Sequence, residues 1–362
     1  MSASEVADFY NQLNNEKKDD RQGSRIVTMR NFNNWIKSMI IQEATGLIKD
    51  AESGPPRLIV LDMCAGKGGD LLKWQRGPID EVIMVDIAET SVQQAQARYN
   101  ESRNRPNSHT QFGAQFIALD LTEANLFPKL RRPMFFDLVS CQFALHYAFR
   151  DEAALRRMLY NASGRMRTGG YFIGTYPNAE RIVHLLRKTT DGKYKNDVLT
   201  IEYLDKSVKN WSTLTPPLFG ARIFFSLEER VNCAEFLLYF PLLVEIAKEF
   251  DLELVSNKSF PQCIDHFDKQ DQRQLMSRIK ALEEIPIDED KLANIKENLH
   301  GAKRYPIEYA HAEKKRRELQ GQVDRRGVPC LGTLTKSEWE TIALYDAFIF
   351  RKTDTPTVKT EE

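Results

Sequence analysis

The sequence predicts a doubly wound α/β fold, a mostly parallel sheet with helices on both faces. Three observations predict it. Short apolar runs ending in acids recur along the chain, helical patterns follow them, and the first intervening turn is rich in glycine. The 362 residues, 42% hydrophobic and 28% charged with zero net charge, give ample material for a core and exclude disorder throughout.

Residues 1–20 are polar apart from Asp8-Phe9-Tyr10. Asn31 to Gly46 is predicted helical, because Phe32, Trp35, Ile36, Met39 and Ile40 return at helical spacing before Gly54-Pro55-Pro56 breaks the pattern. Arg57 to Asp62 reads as a buried strand, and a glycine turn then leads into a helix near Gly69 to Gln75. The alternation repeats as strand Glu81 to Asp86 with helix Thr90 to Asn100, then strand Gln115 to Asp120. Strand Phe136 to Cys141 precedes helix Glu152 to Met166, and strand Gly170 to Thr175 precedes helix Asn178 to Lys188. From Thr189 to Phe240 short β-like pieces predict an insertion beside the mouth of the sheet. Pro241 to Phe250 is expected to be helical, Leu252 to Ser256 a strand, Gln272 to Leu319 a charged helical insertion, and Thr341 to Arg351 a last strand. One domain over residues 21–352, with inserts at about 189–240 and 258–338, would then lie between a polar leader and a disordered tail at 353–362.

No run approaches the roughly 20 apolar residues of a membrane span, and no apolar leader follows Met1. The five cysteines are scattered, without C-x-x-C, and there is no H-E-x-x-H, so neither a disulfide framework nor a metal site is expected. Zero net charge hides local asymmetry. Arg21, Arg25, Arg30 and Lys37 give +4 with no acid between them, among Phe32, Trp35 and polar amides, a mixture suited to a polyanion. The charged stretches Ala281 to His300 and Gly301 to Arg326 read as solvated helix faces.

The turn Leu61-Asp-Met-Cys-Ala-Gly-Lys-Gly-Gly-Asp70 carries the cofactor signal. Gly66, Gly68 and Gly69 let backbone approach a ligand, but the spacing is not the G-x-G-x-x-G of dinucleotide sites. Asp62 and Asp70 are poor company for pyrophosphate and good company for an α-amino group, which favours S-adenosylmethionine over NAD. Asp86 ends the second strand, where a carboxylate accepts hydrogen bonds from ribose hydroxyls, and Asp120 ends the third, placed for an adenine amino group. Acids at three consecutive strand ends are hard to explain as turn formers alone.

Arg30-Asn-Phe-Asn-Asn-Trp-Ile-Lys37, Gly66-Lys-Gly-Gly-Asp-Leu-Leu-Lys-Trp74, Asp86-Ile-Ala88, Cys141-Gln-Phe-Ala-Leu-His-Tyr147, Glu235-Phe-Leu237 and Glu338-Trp339 stand in order along nearly the whole chain. Together they closely resemble the eukaryotic mRNA cap guanine-N7 methyltransferase family. The resemblance implies a class I S-adenosylmethionine-dependent methyltransferase (Rossmann-like) fold with cap-binding insertions and an N-terminal helical segment. It implies cofactor contacts from Lys37, Asp62, Cys64, Gly66, Asp86, Asp120, Gln142 and Tyr147. It further implies cap contacts from Asn33, Asn34, Lys67, Lys73, Arg98, His146, Pro177, Glu235 and Tyr345. Cys64 departs from the family's usual glycine and is expected to be tolerated with an ordinary backbone conformation.

The implied reaction methylates N7 of a 5′ GpppN cap without an acid/base residue, since N7 offers a lone pair and carries no proton. Capped RNA is the implied partner, with other capping enzymes, RNA polymerase II machinery or a small activating subunit beside it, in the nucleus. Lys314-Lys-Arg-Arg317 is the candidate targeting run, a charged helix face its plainer explanation. A methyltransferase for another RNA or a small metabolite, and a non-catalytic cap-binding subunit, are the alternative readings.

Overall fold

Seven strands form one sheet in the order β10-β13-β5-β4-β1-β2-β3. They are β1 (Leu58–Met63), β2 (Ile79–Asp86), β3 (Gly113–Ala118), β4 (Phe136–Gln142), β5 (Met166–Pro177), β10 (Leu252–Ser259) and β13 (Tyr345–Lys352). The computed structural model describes residues 24–51, 54–105, 112–228, 231–286, 306–319 and 330–354. The polar leader 1–20 and positions 355–362 of the expected tail lie outside these residues. Thr353 and Asp354 are within them and are tied down, Thr353 through its N–H to Asp251 O (2.9 Å) and Asp354 through the Thr168 hydroxyl (2.7 Å).

Adjacent residues of the central strands enter opposite cores, which explains their nearly unbroken apolar runs. In β2, Val82 and Met84 face one core while Ile83 and Val85 face the other; in β13, Ala347 and Ile349 oppose Phe348 and Phe350. The first core lies beneath the long helix Val27–Lys49, and the second lies beneath helices Glu152–Ser163 and Phe240–Lys248.

The sheet departs from a wholly parallel one at a single strand. β13 runs antiparallel to both β5 and β10. Its predecessor is a short helix, Lys336–Ile342, which takes the beginning of the expected strand Thr341 to Arg351. That helix is started by a capping box, with the Thr335 and Glu338 side chains each bonded to the other's backbone. Helix Val27–Lys49 begins earlier and ends later than the expected Asn31 to Gly46, so Asn33 and Asn34 lie in its interior. The short helix after the glycine turn covers Leu71–Trp74, and Met166 belongs to β5 rather than to the preceding helix.

The chain between Thr189 and Phe240 builds a four-stranded antiparallel sheet, β6 (Lys193–Lys195), β7 (Leu199–Tyr203), β8 (Arg222–Leu227) and β9 (Val231–Phe236). The charged insertion is only partly helical. It contains helices Gln270–Arg278 and Ala310–Leu319 and a two-stranded antiparallel sheet of β11 (Glu283–Pro286) with β12 (Cys330–Thr333), while 287–305, and with it most of the acidic stretch, lies outside the described residues. The run Lys314–Arg317 sits on helix Ala310–Leu319, where Arg316 is buried and paired with Glu313 (2.8 Å).

The N-terminal helix is locked down by aromatic packing. Phe32 is fully buried among Trp35, Phe260 and Trp339 at centroid distances of 5.9, 6.3 and 6.2 Å, and the Trp35 indole donates to Gln272 O (3.0 Å). Phe32→Ala is expected to cost about 3–5 kcal/mol, seen as a lower urea midpoint with an unchanged slope.

Candidate active site

Strand order reverses between β1 and β4, and the crevice outside their carboxyl ends is where doubly wound sheets take ligands. A cleft opens there, and Cys64, Gly66, Asp86, Asp120, Gln142 and Tyr147 all line it. These are six of the eight residues expected from sequence to meet the cofactor.

Asp86 closes β2. Its carboxylate accepts from the N–H groups of Gly66 (2.7 Å) and Ala88 (2.9 Å), which ties the glycine turn to the neighbouring strand. Burial raises its pKa despite these donors. Gly66 has φ +53°, and nothing lies within 4 Å of where its Cβ would be, so the turn leaves open space. Asp120 does not end β3. That strand stops at Ala118, Leu119 N–H still reaches Asp86 O (2.9 Å), and Asp120 then starts a turn. Its Oδ1 accepts from the Thr122 N–H (2.8 Å) and hydroxyl (2.7 Å), while its Oδ2 is buried without a hydrogen-bond partner. A buried carboxylate oxygen lacking a donor, in a cleft wall, fits a ligand amino group. Gln142 is held from both sides, its Nε2 donating to the Ser140 hydroxyl (3.0 Å) and its Oε1 accepting from the Thr175 hydroxyl (3.1 Å).

Cys64 corrects an expectation. Its backbone is in the left-handed region, φ +55°, a conformation that favours the glycine it replaces. The thiol lies against Cys141, and that hydrogen bond, with burial, raises its pKa. Contact with Cys141 and the second core accounts for its place.

Lys37 and Asp62 lie beside the cleft, in a buried charge cluster on the side of the N-terminal helix. Lys37 and Lys73 each approach Asp70 Oδ1 to 2.7 Å, and Lys73 also donates to Asn34 Oδ1 (3.1 Å). Burial works against the Asp70 charge, but the two ammonium groups outweigh it and hold the carboxyl well below the usual range. Asp62 accepts from the Trp74 indole (3.0 Å); burial and then the Asp70 charge push it up to about 7. The centre of this cluster, Asp70, was legible only as an acid in the turn, since its two lysines come 33 residues before and three after it.

The expected cap residues form neighbouring groups. His146 and Tyr147 follow β4 with ring centroids 4.3 Å apart, and Glu235 reaches both from β9. Glu235 Oε2 is 3.4 Å from His146 Nε2, and the Tyr147 hydroxyl donates to Oε1 (3.4 Å). Both His146 nitrogens lack a hydrogen-bond partner although the side chain is 3% exposed. Pro177 and Tyr345 are cross-strand partners at the β5–β13 edge. Asn33 Oδ1 is buried without a partner, and Arg98 donates to Lys67 O (2.8 Å). Sequence reasoning missed Phe143, which lines the cleft, has φ +57° and packs its ring 5.3 Å from Tyr345, so that it joins the two groups. Nothing in its sequence context signals the positive φ. Among the described residues no three His, Cys, Asp or Glu side chains are grouped to hold a metal, and no helix is long and apolar enough to cross a membrane.

This sheet, its glycine turn and the acids around its cleft define a class I S-adenosylmethionine-dependent methyltransferase. The model of the mRNA (guanine-N(7))-methyltransferase domain matches residues 1–353. The mRNA cap guanine-N(7) methyltransferase of Caenorhabditis briggsae is 44% identical over 98% of this chain and 88% of its own length. That of Drosophila melanogaster is 38% identical over 96% of this chain and 76% of its own. Among solved structures, the CcbJ methyltransferase of Streptomyces caelestis covers 96% of both chains at 9% identity with a TM-score of 0.44, too loose a likeness to bear on function. The chain belongs to the mRNA (guanine-N(7))-methyltransferase domain family.

The raised Asp62 carboxyl has a consequence for stability. A pKa near 7, above the ordinary 3.8, means that the folded ligand-free protein holds this proton more tightly than the unfolded chain does. The resulting stabilisation is present below about pH 4 and lost as pH rises through about 7. Urea unfolding between pH 5 and 7 is expected to show a stability slope more positive in Asp62→Asn than in the wild type, by up to ~1.4 kcal/mol per pH unit.

Proposed function

We propose that this chain transfers a methyl group from S-adenosylmethionine to N7 of the terminal guanosine of a 5′ GpppN cap on RNA, giving the methylated cap and S-adenosylhomocysteine. The observation that carries this reading is the buried Glu235 carboxylate, 6% exposed, set against His146 and Tyr147 where Tyr147 also walls the cofactor cleft. Guanine presents adjacent N1–H and N2 amino donors, a pair that adenine lacks, and one carboxylate accepts from both. Contacts of 3.4 Å to His146 and Tyr147 hold Glu235 in place and leave its oxygens with accepting capacity.

The cofactor, when bound, supplies an electrophilic methyl on a sulfonium that leaves as a neutral thioether. Around it, Asp86 takes the ribose hydroxyls, Asp120 Oδ2 the adenine amino group, and Gln142 and Cys64 the adjoining wall. Lys37 and Asp62 meet the carboxylate and ammonium of the methionine part, which requires Lys37 to divide its hydrogen bonds with Asp70. Lys67, Lys73, Arg98, Asn33 and Asn34 meet the cap and its phosphates, which requires Lys73 to divide its hydrogen bonds with Asp70 and Asn34, and Pro177 and Tyr345 complete the guanine wall.

Because N7 carries no proton, no residue acts as a base. The chain contributes alignment of the two ligands, the larger part of the acceleration in such a step. The Glu235 charge adds a field suited to a base that becomes cationic. On this reading the protein works in the nucleus, with other capping enzymes, the RNA polymerase II machinery or a small activating subunit as neighbours.

Labelled S-adenosylmethionine and GpppA-capped RNA, followed by nuclease release and chromatography, are expected to put the label in the N7-methylated cap. Label in internal nucleotides, or in uncapped RNA alone, would contradict the reading. Asp120→Ala is expected to raise the KM for the donor about 10–100-fold with little effect on that for the cap. Glu235→Gln should do the reverse and also lower kcat, in line with the loss of a charged hydrogen bond.

A further inference from the structure

Asp346 lies next to the proposed guanine wall and is 2% exposed, yet no cap or cofactor role falls to it. Strand alternation puts it on the face opposite Tyr345, the residue before it. Its oxygens gather donors from two directions. Oδ2 accepts from Asn178 Nδ2 (2.7 Å) and the Tyr176 hydroxyl (3.2 Å), and Oδ1 accepts from Arg181 Nη1 (2.5 Å). Each donor belongs to a segment that carries a wall residue. Tyr176 and Asn178 flank Pro177, and Pro177 pairs with Tyr345 across the β5–β13 edge.

The same cluster reaches the strand bearing Glu235. Asn178 forms an isolated parallel bridge with Leu238, three residues beyond Glu235, and the Ala179 N–H donates to Leu238 O (3.3 Å). Asn178 N–H also donates to Leu344 O (2.7 Å), just before Tyr345, while Asn178 Oδ1 caps helix Ala179–Leu186 by accepting from Arg181 N–H (3.1 Å). Arg181 closes the loop with a second bond to Ala343 O (3.1 Å). The start of β13, the end of β5 and the exit from β9 therefore meet at Asn178, whose side chain is held by the buried Asp346 carboxylate with Arg181 beside it.

We propose that Asp346, acting with Arg181, is a positioning residue for cap recognition: it fixes Pro177, Tyr345 and Glu235 relative to one another without touching either ligand. The inference rests on the reading of those three as the guanine site and deepens it. The cofactor cleft is lined from the ends of β1, β2, β3 and β4 and by Phe236 of β9, with none of Tyr176, Asn178, Arg181 and Asp346 among its lining residues, so the larger effect should fall on the cap. An amide at position 346 offers one accepting oxygen instead of two and no charge for Arg181.

Steady-state methylation of GpppA-capped RNA tests this in the 362-residue chain, with S-adenosylhomocysteine binding and thermal unfolding measured beside it. Asp346→Asn and Arg181→Met are expected to raise the KM for capped RNA about tenfold and to leave the KM for S-adenosylmethionine within twofold. Arg181→Lys, which keeps a cation, should recover most of the loss. The Arg181 series decides the matter alone if Asp346→Asn fails to fold, because the Arg181 side chain is 38% exposed. Equal rises in both KM values, or no rise in a folded Arg181→Met enzyme, would overturn the inference. Glu235→Gln separates the two layers. An unchanged cap KM in that variant overturns the guanine-site reading and the inference with it. A raised cap KM in Glu235→Gln, with Asp346→Asn and Arg181→Met at wild-type values, overturns the inference alone.

Discussion

The parallel pairing of β1 with β4 at the centre of the sheet is the constraint on which the site depends. Helical connections leave these two strands in opposite directions, so a gap remains over their carboxyl ends that neither connection fills. Asp62 and Cys64 come from the end of one strand, and Gln142, Phe143, His146 and Tyr147 from the end of the other. Both cores press on this pair, which holds the side chains of the gap on rigid supports.

Polar groups at the gap are satisfied unevenly, and the pattern is informative. Asp86, Gln142 and Asp70 are each held by the protein's own donors or cations, and each Asp86 oxygen, with one donor apiece, keeps capacity for another. Asp120 Oδ2, Asn33 Oδ1 and His146 Nδ1 are buried and lack hydrogen-bond partners, while His146 Nε2 has only the Glu235 carboxylate at 3.4 Å. A native interior rarely tolerates such atoms unless something else meets them. The engaged groups hold the frame, and the unmatched ones border the places assigned to the donor's adenine and to the cap.

Much of the fold was legible because each central strand is a short apolar run bounded by turn residues, and the helix with Phe32, Trp35 and Ile36 shows clear periodicity. The antiparallel direction of β13 was not legible. Strand direction depends on the path of the preceding chain, and an apolar run such as Ala347 to Phe350 reads alike either way. Local conformation was equally hidden at Cys64 and Phe143, whose positive φ values are not announced by residue type. Asp120 was displaced by two residues because pairing ends with Ala118 while the apolar pattern runs on to Leu119. The Asp70 cluster escaped notice because Lys37 and Asp70 meet only in three dimensions.

We propose that the Glu235 carboxylate grips the edge of the cap guanine while its N7 faces the donor methyl. A crystal structure of the protein with S-adenosylhomocysteine and GpppA bound together tests it most directly. A Glu235 oxygen is expected within ~3 Å of guanine N1 and another of N2, with N7 facing the cofactor sulfur in line for displacement. A base lodged elsewhere, with Glu235 still turned only to Tyr147 and His146, would contradict it.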